Sequence, residues 1–298
     1  MGIYKKLNDL TDSIISEVKY KTEKIDVPFK TTCIVADSDP SNISYVKGIQ
    51  KKAFLAGINI EVINLSPEIK NDEFLQVITN LNNDPSCFGI IIQNPIPVHL
   101  DKFRIFELID YRKDLDGVTF FNQGRLFFGK PFIIPATAWA VDISLRYIAK
   151  MLNISLTGKN AVIAGRSVTV GKPALHLLLK NNLTCTVVHT ATVDTPSISK
   201  NADIIVACCG VPELIDRNWV KNDAIVIDVG IHYKDDGSGK GKLCGDVKSD
   251  DVIDTLSLLT AVPGGIGSVT SALLFANALK SFFKIRYNEE IVFDFERV

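Results

Sequence analysis

The chain has 298 residues, 46% of them hydrophobic, and its 33 basic and 34 acidic residues leave a formal net charge of -1. This length is sufficient for two cores of ordinary domain size. The near-neutral charge excludes the bulk electrostatic attraction that nucleic acid or an anionic membrane requires. We therefore expect a small-molecule partner, with no nucleic acid and no membrane.

The N-terminal stretch MGIYKKLNDLTDSIISEVKYKTEK is charged throughout and periodic at helical spacing, unlike the apolar centre of a secretory signal. Lys6 stands where a myristoylation motif requires Ser or Thr. No apolar run approaches the roughly 18 to 20 residues of a membrane span. These patterns predict a soluble, cytoplasmic protein.

Short β-branched runs alternate with helical patterns along nearly the whole chain, which predicts parallel strands joined by crossover helices and an α/β fold class. The predicted strands are 31–36, 59–64, 88–93, 160–164, 184–189, 203–208 and 224–229. The predicted helices are 41–56, 72–81, 138–152, 171–181 and 267–283. A domain boundary is expected around 133–138, and the polar stretch YKDDGSGKGK after the last strand predicts a surface turn or loop.

Six cysteines are scattered mostly through apolar, strand-like runs, without the CxxC spacing of zinc or thioredoxin sites. We expect buried free thiols in a reducing compartment, and no metal site. The six are Cys33, Cys87, Cys185, Cys208, Cys209 and Cys244.

The stretch NAVIAGRSVTVGKPALHLLLK combines an apolar strand, Gly165, a polar turn, Gly171 and a helix. Glycines at such a turn let backbone N–H groups approach a pyrophosphate, and the helix N-terminus adds a partial positive charge. The spacing is GxSxxxG and not GxGxxG, so an ordinary strand-to-helix turn is the alternative to a dinucleotide site.

Arg166 follows the first glycine, where its guanidinium can pair with a ribose 2′-phosphate in bidentate geometry. The next predicted strand ends in His189 and Thr190, without the acidic residue that binds the 2′-hydroxyl of NAD. The pattern therefore favours NADP over NAD.

With GRSVTVGKP, DVGIHY, GDV and TAVPGGIGSVTSALL in this order, the chain resembles the bifunctional methylenetetrahydrofolate dehydrogenase/methenyltetrahydrofolate cyclohydrolase family as far as about Lys280. The resemblance implies two α/β domains around a cleft, tetrahydrofolate derivatives as substrates, NADP as cofactor and a homodimer. The implied folate-binding catalytic domain is 1–137, with 267–298 packing back onto it. The implied Rossmann-type NADP-binding domain is 138–266.

The resemblance also implies roles for single residues. Tyr45 in DPSNISYV would stack on the substrate, Gln93 in GIIIQNPIP would orient catalytic groups, and Asp116 in KDLDGVTFFNQGRL would anchor the amino-pyrimidine edge of the pterin. Pro263, Gly264 and Gly265 match a substrate-binding loop at the back of the cleft. The implied cofactor-binding residues are Gly165, Arg166, Ser167, Gly171, His189, Thr190 and Ile231.

Ile49 is the most informative departure from the family pattern. Counted without gaps from Tyr45 and from Gly57, the catalytic lysine of the family falls on this isoleucine. The family segments PCTP, TPVPGG and GPMT also change, to PATA, TAVPGG and GSVT. Several substitutions therefore cluster around the implied cleft.

Hydride transfer from the methylene carbon is driven by adjacent nitrogen lone pairs, whereas adding water to the methenyl cation requires proton transfer. Ile49 transfers no proton, so we predict retained dehydrogenase activity with weak or absent cyclohydrolase activity. Lys52 lies one turn beyond, about 5.4 Å along a helix, and a fully bifunctional enzyme that uses it is one alternative.

Two further alternatives are a nucleotide-binding regulatory or scaffold protein without catalysis, and a different NADP-linked reductase. Retention of Tyr45, Gln93 and Asp116 argues against the first of them. The tail KIRYNEEIVFDFERV extends past the resemblance, and its alternating IVFDFERV segment fits either a strand or a dimer contact.

Overall fold

The computed structural model describes residues 2–27, 29–37, 40–234 and 241–297, and at residues 40–45 it describes the backbone alone. The helices are α1 (Asn8–Thr22), α2 (Pro40–Leu55), α3 (Asn71–Asn83), α4 (Lys102–Leu108), α5 (Phe120–Phe127), α6 (Ala136–Leu152), α7 (Gly171–Lys180), α8 (Thr195–Ser199), α9 (Ser249–Val252) and α10 (Ile266–Tyr287). The strands are β1 (Ile3–Lys5), β2 (Lys30–Val35), β3 (Asn59–Asn64), β4 (Cys87–Ile92), β5 (Asn160–Ala164), β6 (Thr184–Val188), β7 (Ile204–Ala207), β8 (Ile225–Asp228), β9 (His232–Lys234), β10 (Lys242–Cys244) and β11 (Leu258–Thr260). Short 3₁₀ turns lie at Arg217–Trp219 and Asp294–Arg297.

The chain divides into two compact units. The first contains the chain up to Thr11 together with Thr137–Thr270, and the second contains Asp12–Ala136 together with Ser271–Arg297. The sequence placed the N-terminal residues in the folate half, whereas the structure places them in the first unit. The reason is that β1 pairs in parallel with β11 and so extends the sheet of the first unit.

The first unit is built on a six-stranded parallel sheet in the order β1-β11-β8-β7-β5-β6. The chain runs from β5 to β6 on one side and then returns to β7 on the other side of β5. The strand order thus reverses between β5 and β7, and ligands of open α/β sheets bind outside the carboxyl ends of strands at such a point.

The second unit is built on a three-stranded parallel sheet in the order β3-β2-β4. Every residue of β4 is buried, as expected for a parallel strand covered on both faces. The strand order reverses between β2 and β4, so their carboxyl ends form the second place where the topology favours a site. Residues 113–115 run beside β4, where the backbone N–H of Ile90 donates to Lys113 over 2.6 Å.

The helix α10 is long and apolar enough, by length and composition, to cross a membrane. However, 83% of its most apolar stretch is buried within the protein, which is typical of a core helix in a soluble protein.

The tail that follows α10 forms a 3₁₀ turn instead of a strand. Glu17 of α1 accepts hydrogen bonds from the backbone N–H groups of Asp294 and Phe295 in this tail. The predicted turn in YKDDGSGKGK falls largely on residues 235–240, outside the described residues, and the flanking β9 and β10 pair antiparallel.

Candidate active site

The nucleotide turn predicted from the sequence lies at the point where the strand order of the first unit reverses. Gly165 directly follows β5; its N–H donates to Val188 at the end of β6, and Cys208 after β7 donates to Ala164. The φ angle of Gly165 is +137°, and a Cβ at this position would collide with the carbonyl oxygen of Cys208. Both constraints require glycine, which leaves the backbone open to a ligand.

Ser167 folds the turn that joins Gly165 to α7. Its Oγ accepts hydrogen bonds from the backbone N–H groups of Val170, at 3.1 Å, and Gly171, at 3.4 Å. Gly171 opens α7, and a Cβ there would collide with the carbonyl oxygen of Gly165. The turn is therefore tightly packed, and Ser167 occupies two N–H groups at the positive end of the helix.

Two of the predicted cofactor contacts lie after β6. The Nδ1 atom of His189 accepts a hydrogen bond from the backbone N–H of Ala191 at 3.2 Å, which makes Nε2 the donor nitrogen of the ring. Thr190 is exposed, as is Arg166. The cationic Arg166, the glycine turn and the lack of an acid after β6 fit a nucleotide that carries a 2′-phosphate.

Two buried aspartates join the loops at the carboxyl edge of the first-unit sheet. Asp228 accepts hydrogen bonds from the backbone N–H groups of Gly230, Asp246 and Val247 at 2.9 to 3.1 Å. Burial raises the pKa of Asp228 to about 7, while these hydrogen bonds oppose the shift. The two aspartates lie in the motifs DVGIHY and GDV, whose sequence pattern alone does not reveal this shared role.

The second of these carboxylates, Asp246, has no exposed surface. It accepts hydrogen bonds from the backbone N–H of Gly210 at 2.9 Å and from the thiol of Cys209 at 3.3 Å. It also forms a hydrogen bond with Nε2 of His232 at 2.7 Å. Burial, followed by the charge of Asp246, raises the pKa of Cys209 to about 12. The thiol therefore stays protonated and acts here as a hydrogen-bond donor.

The remaining predicted residues of the first unit lie around the start of α10. Half of the surface of Ile231 is exposed, at 51%, and its Cδ1 lies 2.7 Å from where a Cβ on Gly267 would stand. Gly264 has a φ of +95°, and its carbonyl accepts a hydrogen bond from Leu7 at 2.8 Å. Pro263 is exposed before this turn. Gly265 is required because a Cβ there would collide with the carbonyl oxygen of Ala261.

In the second unit, α2 carries the position that the sequence aligned with the family lysine. Ile49 has no exposed surface and shares a buried stripe with Val46, Ala53 and Ala56. Lys52 lies at the edge of this stripe and is partly buried. Burial, and then the charge of Lys51, lowers its pKa, which raises the fraction of neutral amine. The Tyr45 side chain lies outside the described residues.

Gln93 directly follows β4 and is half-buried at the carboxyl edge of the sheet. Its backbone N–H donates to the carbonyl of Ile34 on β2 at 2.9 Å, which ties the two strand ends together. Its side-chain amide donates to the carbonyl of Asn94 at 3.0 Å. Gln93 therefore lies where the strand order of the second unit reverses.

Asp116 lies close to these same strand ends. Burial raises the pKa of Asp116 to about 7; the like charge of Asp114 adds to the shift, and a hydrogen bond from the backbone N–H of Ile92 opposes it. Cys33 on β2 is fully buried, and its pKa is raised to about 12 by burial and then by the charge of Asp116. Asp116 is partly exposed as a residue, although protein surrounds its carboxyl group.

The loop that carries Asp116 is fixed by its neighbours, which sequence reasoning did not identify. The buried Nζ of Lys113 donates to three carbonyls at the end of α3, those of Leu81, Asn82 and Asp84, at 2.7 to 2.9 Å. The sequence did contain an indication of these bonds, because the charged residues of KDLDG lie near apolar residues, and a buried charge requires hydrogen-bond partners.

Asp114 fixes the other side of the same loop. Its carboxylate accepts from the backbone N–H groups of Val118 and Thr119 at 3.1 and 2.8 Å, and from Nδ2 of Asn122 at 2.9 Å. Asp114 therefore ties its loop to the first turn of α5.

The first unit thus has the topology and glycine turn of a Rossmann-type nucleotide domain, and the second has buried polar groups at the switch point of its own sheet. This combination defines a two-domain α/β enzyme that uses a nucleotide cofactor. Residues 5–116 match the model of the tetrahydrofolate dehydrogenase/cyclohydrolase catalytic domain, and residues 135–286 match that of the NAD(P)-binding domain. The chain belongs to the tetrahydrofolate dehydrogenase/cyclohydrolase family.

Individual relatives agree with this assignment. The bifunctional protein FolD of Clostridium novyi (strain NT) is 39% identical over 281 residues, covering 93% of this chain and 98% of that protein. The crystal structure of Trypanosoma brucei methylenetetrahydrofolate dehydrogenase-cyclohydrolase (FolD), complexed with NADP cofactor and inhibitor, is 29% identical, with a TM-score of 0.87 over 96% of this chain and 99% of that one. A 5,10-methylenetetrahydrofolate dehydrogenase from the silkworm Bombyx mori is 32% identical, with a TM-score of 0.85 over 97% and 100%. The predicted family and two-domain α/β fold are confirmed.

Proposed function

We propose that this chain catalyses the NADP-dependent oxidation of methylenetetrahydrofolate to methenyltetrahydrofolate, with weak or absent hydrolysis of the product to formyltetrahydrofolate. The family and its relatives support the substrate class and the cofactor. The observation that carries the second half of the proposal is the complete burial of an apolar residue, Ile49, on the helix where the family lysine is expected.

The dehydrogenase step moves one hydride from the methylene carbon of the substrate, which becomes the methenyl cation. NADP, when bound, supplies the acceptor for that hydride. The neighbouring nitrogen lone pairs of the folate stabilise the cation, so the step needs orientation of the reactants and no general base. In the first unit, Gly165, Arg166 and Gly171 would hold the nucleotide.

In the second unit, Asp116 would bind the pterin. An amino-pyrimidine edge presents two N–H donors, which match the two oxygens of one carboxylate. Tyr45 would stack on the substrate, and Gln93 would orient the groups at the ends of β2 and β4. The position of Gln93 and Asp116 at the strand-order reversal supports these roles.

Hydrolysis of the methenyl cation makes a different demand on the protein. Water adds to the cationic carbon and loses one proton, and ring opening then requires a proton on the departing nitrogen. A positioned acid or base accelerates such transfers by typically 10²–10⁴-fold. Ile49 has no titratable group, which is why we propose a large loss of this activity.

A second candidate is a fully bifunctional enzyme in which Lys52 replaces the missing lysine. The lowered pKa and partial burial of Lys52 favour it, since a neutral amine can accept a proton. Against it, Lys52 lies three residues from Ile49 and at the edge of the buried stripe. We therefore keep the dehydrogenase as the main proposal.

The deciding experiment measures two reactions with the purified chain. The first is reduction of NADP, and separately of NAD, in the presence of methylenetetrahydrofolate. The second is loss of methenyltetrahydrofolate above its uncatalysed rate. We expect turnover with NADP and hydrolysis close to the uncatalysed rate. No turnover with either nucleotide would reject the dehydrogenase and leave a regulatory homologue or another reductase.

The matched variants are Lys52→Met, which removes the amine, and Lys47→Met, which removes an exposed charge of the same helix. Hydrolysis that is strong in the natural chain, lost in Lys52→Met and kept in Lys47→Met would establish the bifunctional alternative. Equal, near-background hydrolysis in all three proteins would support the main proposal.

We further propose that the enzyme works in the cytoplasm as a homodimer and supplies one-carbon units, including those for purine biosynthesis. All six cysteines are free thiols in the part of the chain that the structure describes, which supports a reducing compartment. The dimer rests on the family resemblance alone. Sedimentation equilibrium at assay concentration tests it, with a monomer as the contrary result.

A further inference from the structure

Asn277 joins two loops of the second unit from the middle of α10. Its fully buried side chain donates through Nδ2 to the carbonyl of Leu115 at 2.9 Å and to the carbonyl of Ile134 at 2.8 Å. Leu115 immediately precedes Asp116, and Ile134 immediately precedes Pro135. One amide thus fixes the backbone beside the carboxylate proposed to bind the pterin.

The two loops that Asn277 joins also touch each other at Gly117. This glycine has a φ of +64°, and a Cβ on it would lie 2.6 Å from the backbone nitrogen of Pro135. This close approach requires glycine at position 117, and a tie between the two loops would hold them in this arrangement. Asn277 supplies that tie with its two amide hydrogens.

The chemistry of the buried amide supports a purpose beyond packing. Within the described residues the Oδ1 atom of Asn277 is buried without a hydrogen-bond partner, which costs free energy that a leucine in the same volume would avoid. The amide is therefore explained by what its two donors do. Ile92 of β4 donates to Asp116 itself and Gln123 of α5 donates to the carbonyl of Gly117 at 2.7 Å, whereas Asn277 ties the residue before Asp116 to the loop at Ile134.

We propose that Asn277 is a positioning residue of the folate site, and that its amide holds the backbone on both sides of the Asp116–Gly117 turn in the binding geometry. This inference rests on the proposed function, since it assigns Asp116 to the pterin. Asn277 itself does not contact the reacting atoms in this assignment; it acts through Leu115 and Ile134.

The test compares Asn277→Leu, which keeps the side-chain size but removes both donors, with Ser281→Ala on the next turn of α10. Ser281 is buried, and its hydroxyl has no hydrogen-bond partner among the described residues, so its removal breaks no tie. Calorimetry measures the Kd of each protein for tetrahydrofolate and for NADP, well below the melting temperature. A third variant, Asn277→Ser, keeps one donor.

We expect Asn277→Leu to raise the Kd for tetrahydrofolate about tenfold, and Asn277→Ser to raise it less, as expected for one or two buried hydrogen bonds. The Kd for NADP should stay constant, because the nucleotide residues belong to the first unit. Ser281→Ala should bind both ligands like the natural chain. A purely structural role would lower the melting temperature without raising the Kd for tetrahydrofolate relative to the Kd for NADP.

An unchanged Kd for tetrahydrofolate in folded Asn277→Leu would overturn the inference. If that variant does not fold, an unchanged Kd in Asn277→Ser overturns it equally. Failure of the natural chain to bind tetrahydrofolate would instead reject the proposed function, and the inference with it. The natural chain is therefore measured first, which keeps the two failures separate.

Discussion

Ile49 and Lys52 lie one turn apart on α2 and differ in their surroundings. Ile49 is completely buried within an apolar stripe, whereas Lys52 is partly exposed at the edge of that stripe. A charge is therefore tolerated one turn away from the aligned position, and an apolar side chain fills the position itself. This relationship leads directly to a gain-of-function test.

Ile49→Lys should raise hydrolysis of methenyltetrahydrofolate by about 10²–10⁴-fold, because a lysine held in a buried place has a lowered pKa and can transfer protons. The same burial makes the substitution costly, so the melting temperature should fall. The measurement is the initial rate of methenyl loss at a temperature where the variant is folded.

The control for this gain is Ile49→Met, which is flexible and apolar but carries no amine. It should leave hydrolysis near the background and change NADP reduction only slightly. Equal hydrolysis in Ile49→Lys and Ile49→Met would mean that the amine at this position does not transfer the proton.

Affinity for folate should depend on pH through Asp116. Its pKa of about 7 means that the carboxyl is largely protonated below pH 7, whereas two-donor recognition requires the ionised form. Binding then requires loss of a proton at low pH, so the Kd for tetrahydrofolate should rise about tenfold per pH unit below 7 and level off above it. Calorimetry at pH 6 and pH 8 measures the effect.

Asp116→Asn should bind weakly at both pH values and lose this dependence. Asp72→Asn, which changes an exposed carboxylate of the same unit, should keep it. The role assigned to Asp116 would be wrong if the pH dependence survived in Asp116→Asn.

Selectivity for NADP should depend on Arg166. Arg166→Gln removes a charge-assisted, bidentate contact to a 2′-phosphate and should weaken NADP binding by about 10- to 100-fold, with little change for NAD. The measurement is kcat/KM with each nucleotide. Lys159→Gln, at the opposite end of β5, is the matched loss of a positive charge and should leave the ratio unchanged.

Stability should depend on the pairing of the tail with α10. The ammonium of Lys280 lies 2.9 Å from the carboxylate of Glu296, and both side chains are largely buried. Glu296→Gln removes the negative charge that faces this buried ammonium and should lower the free energy of unfolding by about 3 kcal/mol in denaturant titrations. Asp294→Asn, in an exposed pair with Arg297 of the same tail, should cost less than about 1 kcal/mol.

Local sequence patterns were sufficient to predict the main helices and strands and the α/β fold class. The seven predicted strands and five predicted helices are all present, with shifts at their ends, because apolar β-branched runs and helical periodicity are local properties. The strand β3 and the strand β5 have the predicted bounds. The glycine turn and the family motifs were also readable, since each depends on a few adjacent residues.

Features that depend on contacts between distant parts of the chain became visible only in the folded structure. The strands β1 and β11 have three residues each, too few for a periodic signal, and they exist because β1 pairs with β11 and β11 pairs with β8. Asn277 donates a hydrogen bond to Leu115, which is 162 positions away in the sequence. Cys33 lies near enough to Asp116 to be affected by its charge only because the fold brings the two segments together. Such contacts form when the whole chain closes, so no local pattern specifies them. The sequence could place an isoleucine at the lysine position, and the fold showed it buried.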